Sequence, residues 1–102
     1  MLRLVAVDGE SMRPSVEPGD RLVVLRLRPR VGDVVALRDP GDRSRTLVKR
    51  VAAVDGDAVD VRGDNADWST DSRTFGPVSR RAILGRAVYR YAPGARTGRL
   101  RQ

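Results

Sequence analysis

No apolar run in this chain is longer than four residues. Leu22–Leu25, Val34–Leu37 and Val51–Val54 are typical, with glycine, proline or aspartate close by. A helix that crosses a membrane needs about twenty apolar residues, so none is expected, nor is a signal-peptide core. Short valine-rich runs set between turn residues predict a mainly β chain. The 102 residues are enough for one domain, spanning 1–102. Its core must be aliphatic, because Phe75, Trp68, Tyr89 and Tyr91 are the only aromatic residues.

The punctuation places the strands. Leu2–Val7 reads as the first, followed by a turn through Gly9-Glu10-Ser11-Met12-Arg13-Pro14 and a loop ending in Pro18-Gly19-Asp20. Arg21–Arg28 and Val34–Arg38 read as the second and third, and Asp39-Pro40-Gly41-Asp42 as an exposed loop. Thr46–Val54 and Ala58–Arg62 are expected to form a hairpin about Asp55-Gly56. Residues 63–72 are too rich in turn-forming side chains for a strand or a regular helix, and so long a polar loop in a small domain suggests function. A helical turn is expected within Pro77–Leu84, a last strand over Gly85–Tyr91, and a basic, partly mobile tail over residues 93–102.

Cysteine and histidine are both absent, which removes thiolate and imidazole nucleophile systems and the usual metal ligands. No metal or other cofactor is expected. Of the twenty basic residues, nineteen are arginine and one is Lys49. Arginine holds its proton near neutral pH, whereas a buried lysine can release it. On a strand, Leu47, Lys49 and Val51 share one face and Val48 and Arg50 take the other. Lys49 then looks into apolar surface, where desolvation lowers its pKa. A neutral amine can take the proton of a serine hydroxyl, and Ser-Lys pairs are a known alternative to histidine-based triads. The net charge of +7 raises nucleic-acid binding, but the arginines are scattered and few aromatic residues could stack on bases. No nucleic-acid partner is expected.

Gly9-Glu10-Ser11-Met12-Arg13-Pro14, Val48-Lys49-Arg50-Val51, Gly63-Asp64-Asn65, and Ser69 with Asp71-Ser72-Arg73 and Phe75-Gly76 stand in a telling order. Together with Gly85-Arg86 and the Tyr89-Arg90-Tyr91-x-Pro93 ending, they resemble the successive boxes of the signal peptidase I family. That resemblance implies a small twisted β-sheet or partly open barrel, a short helical turn and serine endopeptidase activity. By position it makes Ser11 the nucleophile, with its backbone N–H an oxyanion donor, and Lys49 the general base. Ser69 would orient the lysine, while Asp64, Asn65, Asp71, Ser72 and Arg73 would support the site. In some family members a serine two residues before the nucleophile adds an oxyanion donor, and here that position is Gly9. Only twelve residues separate Arg50 from Gly63, where larger members insert an extra β domain.

Length, the Pro18–Leu22 segment and the Ser69–Gly76 run are similar to a small anchor-free branch that matures the precursor of nickel-containing superoxide dismutase. The resemblance implies a cytoplasmic enzyme that removes an N-terminal extension from a precursor protein, with docking on a membrane or a substrate assembly as a further possibility. The same residues are also compatible with the core of a secretory signal peptidase that is membrane-associated through an anchor. A LexA-like self-cleaving regulator and a non-catalytic basic binding module are two further readings. Taken singly, Gly63-Asp64-Asn65 is an ordinary turn and Asp71-Ser72-Arg73 an ordinary surface ion pair.

Overall fold

The computed structural model describes residues 2–100. Eight strands make one antiparallel sheet: β1 Leu2–Ala6, β2 Arg21–Leu25, β3 Val34–Asp39, β4 Asp42–Asp55, β5 Ala58–Arg62, β6 Val78–Ser79, β7 Ile83–Ala92 and β8 Gly98–Arg99. The single α-helical turn among the described residues is α1, Ser72–Phe75. The strands pair in the order β1-β2-β7-β3-β4-β5-β6, and β8 pairs with β7 beyond the segment that β3 covers. The sheet is therefore open, with β1 and β6 at its ends.

β3 explains why the sheet holds together. All four residues of its apolar run are buried, and alternation sends them to two different clusters. Val34 and Ala36 pack with Met12, Val16, Leu22 and Val48, while Val35 and Leu37 pack with Val51, Val59, Val61 and Val78. A strand covered on both faces reads as a continuous apolar run, as this one does. Each fully buried valine or leucine contributes about 1.5–3 kcal/mol, so this centre is where most of the sheet's stability is expected to reside.

Several boundaries differ from the sequence expectation for local reasons. β2 stops at Leu25, because the Leu27 N–H turns back to the Leu25 carbonyl at 2.8 Å. β4 begins at Asp42 instead of Thr46, since Pro40-Gly41 forms a tight connection in which Asp39 faces Asp42. The next pair is Arg38 with Thr46, which leaves Arg43, Ser44 and Arg45 bulged out of register. The helical turn expected within Pro77–Leu84 is a single 3-10 turn, Arg80–Ala82, and α1 lies upstream of it. Asp71 starts α1 there by accepting a hydrogen bond from the Arg73 N–H.

The segment after Pro93 lies on the sheet through β8 and the buried Leu100, and residues 101–102 of the expected basic tail lie outside the described residues. Asp20 is the fastening. Its buried carboxylate accepts hydrogen bonds from Arg90 at 2.8 Å and from Arg96 at 3.0 and 3.1 Å. Arg90 also donates to the Ser15 carbonyl at 2.9 Å, so the end of the chain braces the loop that follows Ser11. Burial alone would raise the Asp20 pKa, but the bonds from Arg96, the Glu17 N–H and Arg90 outweigh it and keep the group below its usual range.

Candidate active site

Strand alternation puts Lys49 where the sequence pattern expects it. Val48 joins the cluster on one face of the sheet, Leu47 and Val51 join the cluster on the other, and Lys49 lies with the latter, only 3% exposed. Arg50 points the opposite way. It meets Asp64 with two hydrogen bonds, both 2.9 Å, and donates to the Gly32 carbonyl at 2.8 Å.

The Lys49 amine has no direct carboxylate partner among the described residues. Its Nζ donates to Ser69 Oγ at 3.1 Å, and Ser69 Oγ donates to Asp71 Oδ2 at 2.6 Å. Asp71 is fully buried and also accepts from the Gly63 N–H at 2.8 Å and from Arg73 Nη2 at 2.7 Å. The Arg73 N–H and Nε complete its shell at 3.0 and 3.1 Å. Burial would raise the Asp71 pKa, but Arg73, Ser69 and the two backbone donors outweigh it and hold the carboxyl well below the usual carboxylate range. With Arg73 neutralising Asp71, the lysine is left with a hydroxyl instead of a counterion. Burial then dominates and lowers the Lys49 pKa, with Arg45 and Arg73 pushing the same way against the nearby Asp71 and Asp39.

Ser11 is held by the Gly63-Asp64-Asn65 segment. The Asn65 N–H donates to the Ser11 carbonyl at 2.8 Å, and its side-chain amide donates to the Glu10 carbonyl at 3.1 Å. Asp64 accepts from Ser15 Oγ at 2.6 Å as well as from Arg50, so it joins the loop after Ser11 to the strand that carries Lys49. Burial pushes the Asp64 pKa up, while Arg50 and Ser15 bring it below its ordinary value. Gly63 has to be glycine. A Cβ there would lie 2.3 Å from Ser69 Oγ and 2.5 Å from the Ser11 carbonyl oxygen, inside any tolerable contact. Ser72 fixes the other end of the loop, its Oγ accepting from the Val61 N–H at 2.8 Å.

Ser11 and Lys49 line one cleft of about 210 Å³, together with Leu47, Trp68, Thr70 and Phe75. Among the described residues, no hydrogen bond joins the Ser11 hydroxyl to Lys49, and the Ser11 N–H donates to no protein group. Gly9, which also lines the cleft, has φ +86°, a conformation that side chains rarely adopt. That backbone accounts for glycine at a position where a serine would be strained.

A family model described as "Signal peptidase, peptidase S26" matches residues 1–65 and 61–92. The chain belongs to the signal peptidase family, peptidase S26. Mitochondrial ATP-independent inner membrane protease subunit 2 of Arabidopsis thaliana is 36% identical over 79% of this chain and 53% of its own length. Mitochondrial inner membrane protease subunit 2 of Mus musculus is 31% identical over 92% of this chain and 69% of its own. The Synechocystis protein named "Probable signal peptidase I-1" is 27% identical over 92% and 73% respectively. This S26 chain thus spans about half the length of the Arabidopsis subunit.

The structure brings together every residue singled out from sequence, with Ser72 at the margin. Sequence reasoning missed the apolar wall of Leu47, Trp68 and Phe75 and the bracing role of Asp20. Trp68 carried a usable signal, being the one tryptophan and standing one residue before Ser69. Asp20 carried none beyond its place in a turn motif.

Proposed function

We propose that this protein is a serine endopeptidase of the Ser-Lys type that removes an N-terminal extension from a precursor protein. The observation that carries the reading is the state of Lys49: the sole lysine, buried, in one cleft with Ser11 and held through Ser69. A neutral amine that donates one N–H to Ser69 keeps its lone pair for the Ser11 hydroxyl. Lys49 takes that proton as Ser11 Oγ attacks the scissile carbonyl, and the Ser11 N–H receives the developing oxyanion. The ammonium then returns the proton to the leaving amine, and the acyl ester remains on Ser11. Lys49, neutral again, takes a proton from water as its oxygen attacks the ester, and the ammonium gives that proton to Ser11 Oγ as the ester C–O bond breaks and the carboxylic acid product leaves. Ser69 and Asp71 are positioning residues in this scheme.

Within the reading, the precursor of nickel-type superoxide dismutase is the first substrate to test. It rests on the similarity of Pro18–Leu22 and Ser69–Gly76 to the branch that matures it. Nickel then belongs to the substrate. Cytoplasmic action goes with that choice, whereas the relatives named above are inner membrane proteases and a signal peptidase. A secretory signal peptidase core is the second reading, supported by the cyanobacterial relative. The match to peptidase S26 through both halves of the chain favours processing over self-cleaving regulation.

The test is to incubate the precursor with the protein and with Ser11→Ala, then read the new N-terminus by mass spectrometry. One defined cut by the parent protein alone is expected. Equal products from both proteins would rule out Ser11 as the nucleophile, and a cut only in exported precursors would select the secretory reading.

A further inference from the structure

A second depression adjoins the cleft and shares Asp39 and Phe75 with it. It has a volume of about 400 Å³, and Arg38, Arg43 and Arg81 stand around it. Eight of the eighteen described arginines are ion-paired: Arg13, Arg30, Arg50, Arg62, Arg73, Arg86, Arg90 and Arg96. Arg38, Arg43 and Arg81 make no ion pair among the described residues. The one carboxylate at this depression is Asp39, at its junction with the cleft, where Oδ1 already accepts the Gly41 N–H at 2.8 Å.

The backbone supplies an independent reason to regard these residues as built for something. β4 bulges opposite the Arg38–Asp39 step and leaves Arg43, Ser44 and Arg45 without partners on β3. Bulges beside active sites re-aim side chains. Here the bulge puts Arg43 at the depression and Arg45 at the cleft. Nothing in the core requires three guanidiniums at that place, and their mutual repulsion opposes gathering them.

Resting on the endopeptidase reading, we propose that this arginine-lined depression is a substrate subsite that takes an acidic side chain of the precursor, a few residues from the scissile bond. A peptide seated over Ser11 would pass the Asp39–Phe75 junction, lay its apolar surface on Phe75 and present an Asp or Glu carboxylate to the guanidiniums. Arginine suits that role because its planar fork binds both carboxylate oxygens. The precursor class is thereby narrowed to extensions or mature ends with an acid at a fixed distance from the cut.

The test uses fluorescein-labelled peptides with Ala before the intended cut and one Glu moved through each flanking position, each matched by a Gln peptide. Binding to Ser11→Ala is read by anisotropy and cleavage by the parent protein by mass spectrometry. One Glu position should bind about fivefold tighter than its Gln match at low salt, the upper range for a partly exposed pair. That preference should fall to parity in Arg43→Gln/Arg81→Gln and shrink in high salt, with Gln peptides bound as before. No Glu preference at any position, or one unchanged in the double variant, overturns the subsite. Ser11-dependent cleavage without a Glu preference overturns the subsite alone. An arginine-dependent preference without Ser11-dependent cleavage overturns the endopeptidase reading and leaves an acidic-peptide binding site.

Discussion

Asp71→Asn should be the most destabilising single change in the site. The carboxylate is fully buried and accepts five hydrogen bonds, from Ser69, the Gly63 N–H and three groups of Arg73. Asparagine keeps the shape but replaces one acceptor oxygen with a donor. Whichever way the amide is turned, it faces at least two donors: Ser69, Gly63 and Arg73 Nη2 on one side, the Arg73 N–H and Nε on the other. Removing one partner of a buried pair costs about 3–5 kcal/mol. Arg73 retains 36% exposure and can be rehydrated, so about 3 kcal/mol is expected. For a domain near this size that corresponds to a fall of roughly 12–24 °C in melting temperature. Urea unfolding followed by far-UV circular dichroism measures it, since Trp68 is 70% exposed and reports folding poorly. The acid limb gives the sign. A carboxyl depressed in the folded state contributes stability above its unfolded pKa of about 3.9 and loses it as pH falls toward the folded value. The parent should therefore lose stability below about pH 4 more steeply than the variant. A loss under about 1 kcal/mol, with an unchanged acid limb, would refute Asp71 as the anchor of this loop.

Other perturbations follow from the same geometry. Lys49→Arg should abolish cleavage, at least about a hundredfold in kcat, because guanidinium stays protonated; retained activity would make Lys49 structural. Gly63→Ala should cost about 1–3 kcal/mol by urea titration and lower kcat, since the new Cβ meets Ser69 and the Ser11 carbonyl; parental stability and activity would contradict the close approach. Asp20→Ala should lower the melting temperature and speed hydrogen exchange at the Leu100 amide, which donates to the Val88 carbonyl at 3.3 Å, while β5 amides stay protected. Peptide binding to Ser11→Ala should blue-shift the emission of Trp68, the sole tryptophan, and an unmoved spectrum would place the peptide elsewhere.

Much of the site was legible because its chemistry is local in sequence. Alternation alone set Lys49 among apolar residues with Arg50 pointing away, and the structure keeps both directions. The valine runs marked the strands, but three runs of equal length could not tell which strand is buried on both faces; only the pairing of β3 with β4 and β7 makes it Val34–Leu37. What sequence could not supply were relations between distant segments. Asp64 shapes more than a turn: it spans from Ser15 to Arg50, a contact set by the close approach at Gly63. The bulge at Arg43–Arg45 was hidden for a related reason, since register depends on which residue of β3 lies opposite. Pro77–Leu84 does hold a helical turn, Arg80–Ala82, whereas the α-helical turn upstream was hidden in a polar loop, because its start depends on the Asp71 side chain accepting from the Arg73 N–H.

The most direct measurement follows from the lysine being alone. Selective ¹³C labelling of lysine yields the side-chain signals of Lys49 without overlap, so its titration can be followed in the intact protein. Burial should bring the midpoint below the ordinary value of about 10.4, and kcat/KM for the precursor should rise with pH through that same midpoint. A lysine that titrates at or above the ordinary value, or a cleavage rate that ignores its midpoint, would contradict Lys49 as the base that activates Ser11.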